Sequence, residues 1–516
     1  MDQAERFRQL LCTQAVRADL SARSVRAAAI TACVGFADFA LRIGSAAWLA
    51  RLVLPEHFGL VMMATAVTAV AEQLRDMGLS SATVQQKEIT HAEVTNLFWI
   101  NAAVGAVLAT CVCAASPLIA AYYHEPRLTV IACVLASTLL FGGLTVQHQA
   151  LLTRQLKLAH TSGVRLASSI LSTALAIGLA AAGYGYWALL WREVSRAVLL
   201  AAGMWLFFPW VPGLPSRKTN VRPLLTFGAN ITAANILSTI ISGFDRFLLG
   251  RFWGATPVAM YRQSYQLISA PTDQLLNPLY DVTHPGLSML QTEPDRYRRF
   301  YRKVLSLVCV ITMPVSLVVA VYSKEVTAIL LGPKWSDAAP LLMLLSLGTF
   351  FKQALSSTAL ILITRGKAKM HLMLTVLQNV VAVLGMCVGV RWGTTGFAVA
   401  DAVTVYVMIA PRLYFTLKDS PVSAGTFFGT VTRPVISGAA MAATLIATRS
   451  LTSGMVPAIA VACATGLGCL VFAGAWLLQP GGIAEFSSLA ADVRGAFARK
   501  RASRQSAAEA VGAAAS

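Results

Sequence analysis

The chain is 516 residues long, 56% hydrophobic and only 13% charged, with a mean hydropathy of +0.64 and a net charge of +19. So small a charged share, about half that of ordinary soluble domains, excludes a soluble globular fold. The 42 Lys and Arg outnumber 23 Asp and Glu, but they fall mainly between apolar runs, which points to membrane topology and against a nucleic-acid partner.

Residues 1–24 carry both signs of charge (Asp2, Glu5, Arg6, Arg8, Arg17, Asp19 and Arg23). They lack the apolar stretch and cleavage site of a signal peptide and are expected to form a cytoplasmic segment, interfacial helix or tail. A membrane span needs roughly 20 mostly apolar residues. Such runs occur at 27–50, 57–78, 94–118, 128–149, 164–182, 184–208, 224–249, 257–281, 304–322, 338–363, 370–390, 394–416, 434–449 and 455–478. The fold expected is therefore all-α, with about fourteen transmembrane helices. Its predicted organisation is a first six-helix bundle over 25–208, a cytoplasmic linker over 209–223 and a second bundle over 224–416. Helices 13 and 14 follow over 417–478, then a disordered cytoplasmic tail over 479–516.

An even span count puts both termini on one side. Only Arg51, Arg127, Arg251, Lys324, Lys334, Arg391 and Arg449 fall in the loops on the other side, so both termini are expected to be cytoplasmic. The longest cytoplasmic loop, about 282–303, holds Arg296, Arg298, Arg299, Arg302 and Lys303. That run suits anionic headgroups, with docking of a partner as the alternative.

An internal repeat is visible. Leu152-Thr153-Arg154 recurs as Ile363-Thr364-Arg365, Gly185-Tyr186 as Gly396-Phe397, and Leu49-Ala50-Arg51 as Leu249-Gly250-Arg251. Spans one to six thus correspond to seven to twelve. Six helices per repeat gives both halves one orientation, related by an axis along the membrane normal.

Charges within spans are costly and mark function or pairing. Basic residues deep in the spans are Arg42, Arg75, Arg192, Arg196, Arg246, Arg262 and Lys352. Span 1 carries Thr31, Gly35, Asp38, Arg42 and Ser45 at spacings of one helix face. Span 7 carries Asn235, Ser238, Ser242, Asp245 and then Arg246. In span 8, Arg262, Gln266, Ser269, Asp273, Asn277 and Asp281 form one polar face, with kinks expected at Pro271 and Pro278. Structural ion pairing explains any one pair, such as Asp38 with Arg42. The whole set, on the first helices of both halves, predicts a substrate cavity lined by Asp38, Arg42, Asp245, Arg246, Arg262, Gln266, Asp273, Asn277 and Lys352. Its arginine excess suits an anionic ligand, because the guanidinium fork matches phosphate. Glu72, Arg75 and Asp76 read as a cytoplasmic gate or end cap.

No catalytic or metal site is expected. There is no phosphate-binding Gly-rich loop for an ATP motor and no nucleophile elbow. The seven histidines (His57, His91, His124, His148, His160, His284 and His371) are scattered near span ends. Of nine cysteines, Cys33, Cys111, Cys113, Cys133, Cys309, Cys387, Cys463 and Cys469 lie in apolar runs and Cys12 near the start. The Cys111-x-Cys113 pair lacks zinc spacing.

Several local runs taken together resemble a known family. These are Leu49-Ala50-Arg51-Leu52-Val53-Leu54-Pro55-Glu56-His57-Phe58-Gly59-Leu60, Gly78-Leu79-Ser80-Ser81-Ala82, Gln85-Gln86-Lys87-Glu88-Ile89-Thr90-His91 and Phe98-Trp99-Ile100-Asn101. The second half adds Phe244-Asp245-Arg246-Phe247-Leu248-Leu249-Gly250-Arg251, Tyr261-Arg262-Gln263-Ser264-Tyr265 and Pro285-Gly286-Leu287-Ser288. Over about residues 25 to 420 the chain resembles Wzx-type polysaccharide exporters of the multidrug/oligosaccharidyl-lipid/polysaccharide flippase superfamily, in the colanic acid and lipopolysaccharide exporter branch. The resemblance implies two six-helix bundles around a central cavity, alternating access, and a lipid-linked oligosaccharide as partner, flipped across a bacterial inner membrane for exopolysaccharide or lipopolysaccharide assembly. It implies no cofactor, contact with membrane lipids, and coupling to an ion gradient or the membrane potential. The charged Arg192-Glu193 pair and the long N-terminal segment depart from the family pattern. Two alternatives stay open: a drug/cation antiporter of the same superfamily, and a membrane-embedded glycan polymerase or ligase.

Overall fold

The computed structural model describes residues 20–483 apart from 87–88, 156, 209, 217–221, 419 and 453. Most of the expected N-terminal segment and C-terminal tail, and part of the 209–223 linker, lie outside the described residues. Every regular element described is helical, as a bilayer requires: helices satisfy their own backbone groups where no water can.

The chain divides into two compact units between Ala259 and Met260. The first holds α1 (Leu20–Leu52), α2 (Pro55–Asp76), α3 (Leu79–Gln85), α4 (His91–Tyr123), α5 (Arg127–Gly143), α6 (Val146–Arg154), α7 (Leu158–Ala181), α8 (Tyr186–Phe207) and α9 (Arg222–Trp253). Most of α10 (Ala255–Met289) belongs to the second. It continues with α11 (Pro294–Val321), α12 (Ser323–Leu330), α13 (Ala338–Ser356), α14 (Thr358–Thr364), α15 (Ala368–Gly389), α16 (Gly393–Val407), α17 (Ile409–Leu417), α18 (Ala424–Thr452) and α19 (Pro457–Leu478). The unit boundary differs from the expected one. Helix α9 packs on α2, α3 and α4 and counts with the first unit, although its sequence begins the second repeat.

Among the described residues nine helical stretches are long and apolar enough to cross a membrane, and the bent pair α5–α6 makes ten. About fourteen spans remains compatible with this. The stretch Ala368–Leu417 covers two expected spans at once. Helices α8, α9 and α10 are too polar to stand among them, and each carries charges that the sequence places in an interior. The expected 282–303 loop is largely helical instead. Helix α10 runs through Pro271, Pro278 and Pro285 to Met289, and α11 starts at Pro294. Proline at the first position of α11 costs no hydrogen bond there, and the basic residues of this stretch ride on its opening turns.

Local chemistry fixes the helix ends. Thr90 and Glu93 form a reciprocal capping box that starts α4: the Glu93 amide donates to Thr90 Oγ1 (3.3 Å) and the Thr90 amide donates to Glu93 Oε2 (2.7 Å). In the bilayer, close packing and interhelical hydrogen bonds take over from the hydrophobic effect. Helices α4 and α5 meet backbone to backbone, Gly105 against the Leu139 carbonyl and Gly143 against that of Asn101. Gly389 and Gly396 do the same for α15 and α16.

A buried amide chain ties four helices of the first unit. Thr83 Oγ1 donates to Gln147 Oε1 (2.9 Å), Gln147 Nε2 to Asn101 Oδ1 (3.0 Å), and Asn101 Nδ2 to the Arg75 carbonyl (2.9 Å). Thr83, Gln147 and Asn101 are fully buried. Nearby, the segment after α8 is strapped onto α4. Asn96 exchanges two hydrogen bonds with the Ser216 backbone (2.6 and 2.8 Å), and Trp99 Nε1 donates to the Gly213 carbonyl (2.9 Å).

Replacing Gln147 with Leu strands the Asn101 and Thr83 groups in a dry interior. An unsatisfied buried partner costs about 1–3 kcal/mol. Thermal melting of the detergent-solubilised protein is expected to show a lower midpoint for Gln147→Leu, whereas substitution of exposed Thr110 leaves it in place.

A polar cavity inside the first bundle

On α2, Thr65, Thr68, Glu72 and Arg75 follow one another at helical spacings of three and four, so they share a face. That face opens onto a cavity of about 510 Å³ lying wholly within the first unit. Asp38 reaches it from α1, Thr138 and Gly142 from α5, Gln149 from α6, Arg165 and Ser168 from α7, and Glu193 and Arg196 from α8.

The cavity carries three carboxylates (Asp38, Glu72, Glu193) and three guanidinium groups (Arg75, Arg165, Arg196), so its formal charge balances. Glu193 sits between two arginines, 3.4 Å from Arg192 and 3.0 Å from Arg196. Arg165 Nη2 donates to Gln149 Oε1 (3.0 Å). The guanidinium of Arg75 lies against Gly142, where a side chain would collide with it. Thr65, Thr68, Thr138 and Ser168 spend their hydroxyl protons on carbonyls of their own helices. That leaves their oxygen lone pairs to accept. The cavity therefore offers hydroxyl acceptors and guanidinium donors together, a lining suited to a polyhydroxylated or zwitterionic guest.

The expected gate residues separate. Glu72 and Arg75 line the cavity, but Asp76 caps the start of α3, accepting from Ser80 Oγ (2.7 Å) and the Ser80 amide (3.3 Å). Of the expected substrate residues in the first unit, Asp38 lines the cavity and Arg42, one turn further along α1, is exposed and outside its lining. Asp245 is buried on α9, its Oδ1 3.9 Å from Arg246 Nε. In the second unit Arg262 and Lys352 converge on one aromatic ring. The Arg262 guanidinium carbon lies 5.5 Å and Lys352 Nζ 5.0 Å from the Tyr265 centroid, and Nζ donates to the Tyr265 hydroxyl (3.2 Å). A tyrosine between two cations is polarised by both. Gln266, Asp273 and Asn277 are exposed on α10.

Arg165, Gln149 and the Thr65–Thr68 pair escape the sequence reading. Arg165 stands second in its span and passes for a loop cation. The Thr65, Thr68, Glu72 spacing is legible in retrospect, but weakly polar threonines hide in an apolar run. At one end of the bundle, outside the spans, Glu125 binds Arg127 (2.7 Å), which also meets Glu56 (2.5 Å). The Arg127 hydrogen bond holds the Glu125 carboxyl below its ordinary range.

Glu193→Gln removes the charge between Arg192 and Arg196 and leaves two like charges in the bundle. Losing a charge-assisted hydrogen bond such as the one to Arg196 costs about 1.5–3 kcal/mol. The expected result is a sharp drop in membrane-inserted, folded protein on fluorescence-detected size exclusion, partly restored when Arg192 is also replaced by Gln.

Residues 48–340 match the family model described as polysaccharide biosynthesis protein. The lipopolysaccharide biosynthesis protein WzxC of Escherichia coli is 25% identical over 380 residues, covering 71% of this chain and 76% of WzxC. The succinoglycan biosynthesis transport protein ExoT of Rhizobium meliloti is 25% identical over 340 residues, 63% of this chain and 67% of ExoT. Among solved structures, the lipid II flippase MurJ in an inward closed conformation superposes with a TM-score of 0.68 at 12% identity, covering 89% of this chain and 99% of MurJ. At that identity the likeness speaks for the fold. The resemblance read from the sequence motifs thus agrees with the family match, the relatives and the architecture: the chain is a multi-pass membrane protein that belongs to the polysaccharide biosynthesis protein family.

Proposed function

We propose that this protein is a flippase that moves a lipid-linked oligosaccharide, carried on an isoprenoid pyrophosphate, across the bacterial inner membrane for exopolysaccharide or lipopolysaccharide assembly. The observation that carries the reading is a hydrophilic, charge-bearing interior within apolar helices, in a chain whose relatives include a protein named for succinoglycan transport. A water-lined path is what a sugar head requires to pass the bilayer, while its apolar tail stays in lipid. The function calls for no bond to be made or broken, so no catalytic group and no cofactor is assigned.

In this reading both termini are cytoplasmic, and the two repeats form bundles that alternate access to a shared chamber. Arg42, Arg246, Arg262 and Lys352 contact the pyrophosphate, and Asp38, Asp245 and Asp273 tune them or carry a coupling cation. Gln266 and Asn277 offer amide groups to the sugar. The polar cavity of the first bundle supports the reading, since its donors and acceptors suit hydroxyl groups. A drug/cation antiporter is the second reading; the carboxylates Asp38, Glu72 and Glu193 on the cavity wall favour it.

The test is a deletion strain complemented with the gene. Loss of surface polymer with build-up of lipid-linked saccharide on the inner leaflet supports export. Normal translocation with shortened polymer would instead indicate a polymerase, and restored dye efflux an antiporter. Neutralising Arg42, Arg246 and Arg262 together, to Gln, is expected to cut export about a hundredfold or more, since each lost charge-assisted contact is worth about 1.5–3 kcal/mol. Unchanged export in a normally inserted triple variant would remove the assignment of these side chains.

A further inference from the structure

Arg412 stands apart from the other intramembrane cations. It lies on α17, five residues from that helix's end, and is only 7% exposed. Its two partners are neutral. Nε donates to Thr358 Oγ1 at the start of α14 (3.1 Å), and Nη1 donates to Gln378 Oε1 on α15 (2.6 Å). Among the described residues no carboxylate comes within ion-pair distance of it. Nη2 has no hydrogen-bond partner there, yet it is not sealed inside either. A guanidinium does not lose its proton in proteins, so this buried positive charge needs an anion that the fold itself does not bring.

The surroundings say which anion. His371 lies two turns before Gln378 on the same face of α15, with its buried Nδ1 unpartnered among the described residues. At the same end, Lys367 Nζ donates to the Lys418 carbonyl (3.4 Å), which draws the turn before α15 and the end of α17 together. Lys369 and Lys418 are exposed beside this closure. On the flanks, Leu372 and Tyr414 are 63% and 64% exposed, surfaces suited to acyl chains. A buried cation between helices, with a basic collar at one end and apolar flanks, is the arrangement that receives a lipid phosphate.

The geometry points to a binding site for the phosphate of an anionic phospholipid between α15 and α17, with Arg412 Nη2 as its principal donor, His371 beside it and Lys369 and Lys418 as an outer collar. The site is separate from the cavity of the first bundle and from the residues assigned to the sugar-pyrophosphate head. It stabilises the second unit by neutralising its buried cation, and it stands whether or not the protein is a flippase.

Native mass spectrometry of the full chain released from detergent is the direct test, with added phosphatidylglycerol or phosphatidylcholine. The wild type is expected to retain a tightly held phosphatidylglycerol, and Arg412→Gln to bind it about tenfold or more weakly, the loss of one charge-assisted hydrogen bond. Should Arg412→Gln not insert, the exposed double variant Lys369→Glu/Lys418→Glu carries the test, with weakened phosphatidylglycerol binding and an unchanged elution profile expected. Equal retention of both lipids by the wild type would overturn the site. So would unaltered phosphatidylglycerol binding in whichever variant inserts. Displacement of phosphatidylglycerol by an equimolar long-chain isoprenoid phosphate would overturn its assignment to phospholipid and hand the site to the cargo lipid.

Discussion

The bilayer's lack of water governs this molecule. A polar group inside a span has only protein, or a wet cavity, to answer it. That constraint accounts for the arrangement in the first unit: Glu193 between two arginines, Arg165 on Gln149, and the Thr83–Gln147–Asn101 chain ending on the Arg75 carbonyl. Helix α8 is too charged to pass for an independent span, but it neutralises Glu193 with its own Arg192 and Arg196 and turns Glu193 and Arg196 to the cavity that Asp38 and Glu72 also line. Polarity here is stable because each group finds a partner, on its own helix for Glu193 and across helices for the amide chain and Arg165.

The two units answer the constraint differently. In the first, acids and bases meet around an internal cavity and their charges cancel. In the second, two cations share the Tyr265 ring and a third, Arg412, rests on neutral oxygens. A balanced cavity suits hydroxyl-rich or zwitterionic groups, whereas a buried cation resting on neutral oxygens, as Arg412 does, suits phosphate. A lipid-linked saccharide contains both chemistries.

Rigid seams frame these interiors. Glycines at α4–α5 and α15–α16 let backbones touch, so dispersion acts over short distances where burial from water contributes nothing. The strap over α4, held by Asn96 and Trp99, fixes the segment after α8 at Gly213 and Ser216. Close seams and a fixed strap favour movement of whole helices over local deformation, because packed elements shift between discrete arrangements.

Sequence alone determined the all-helical membrane character, the positions of most spans and the family resemblance. These follow from hydropathy and local spacing, which belong to the chain before it folds. It also named Asp38, Glu72 and Arg75, because charges in apolar runs stand out. Tertiary structure decided which of them meet. It turned Asp76 away to cap α3, joined Arg165 and Gln149 to the cavity, grouped α9 with the first unit and left Arg412 without a carboxylate. A side chain's partner depends on helix rotation and on contacts between residues far apart in the chain, and hydropathy along a single strand of sequence carries no record of either.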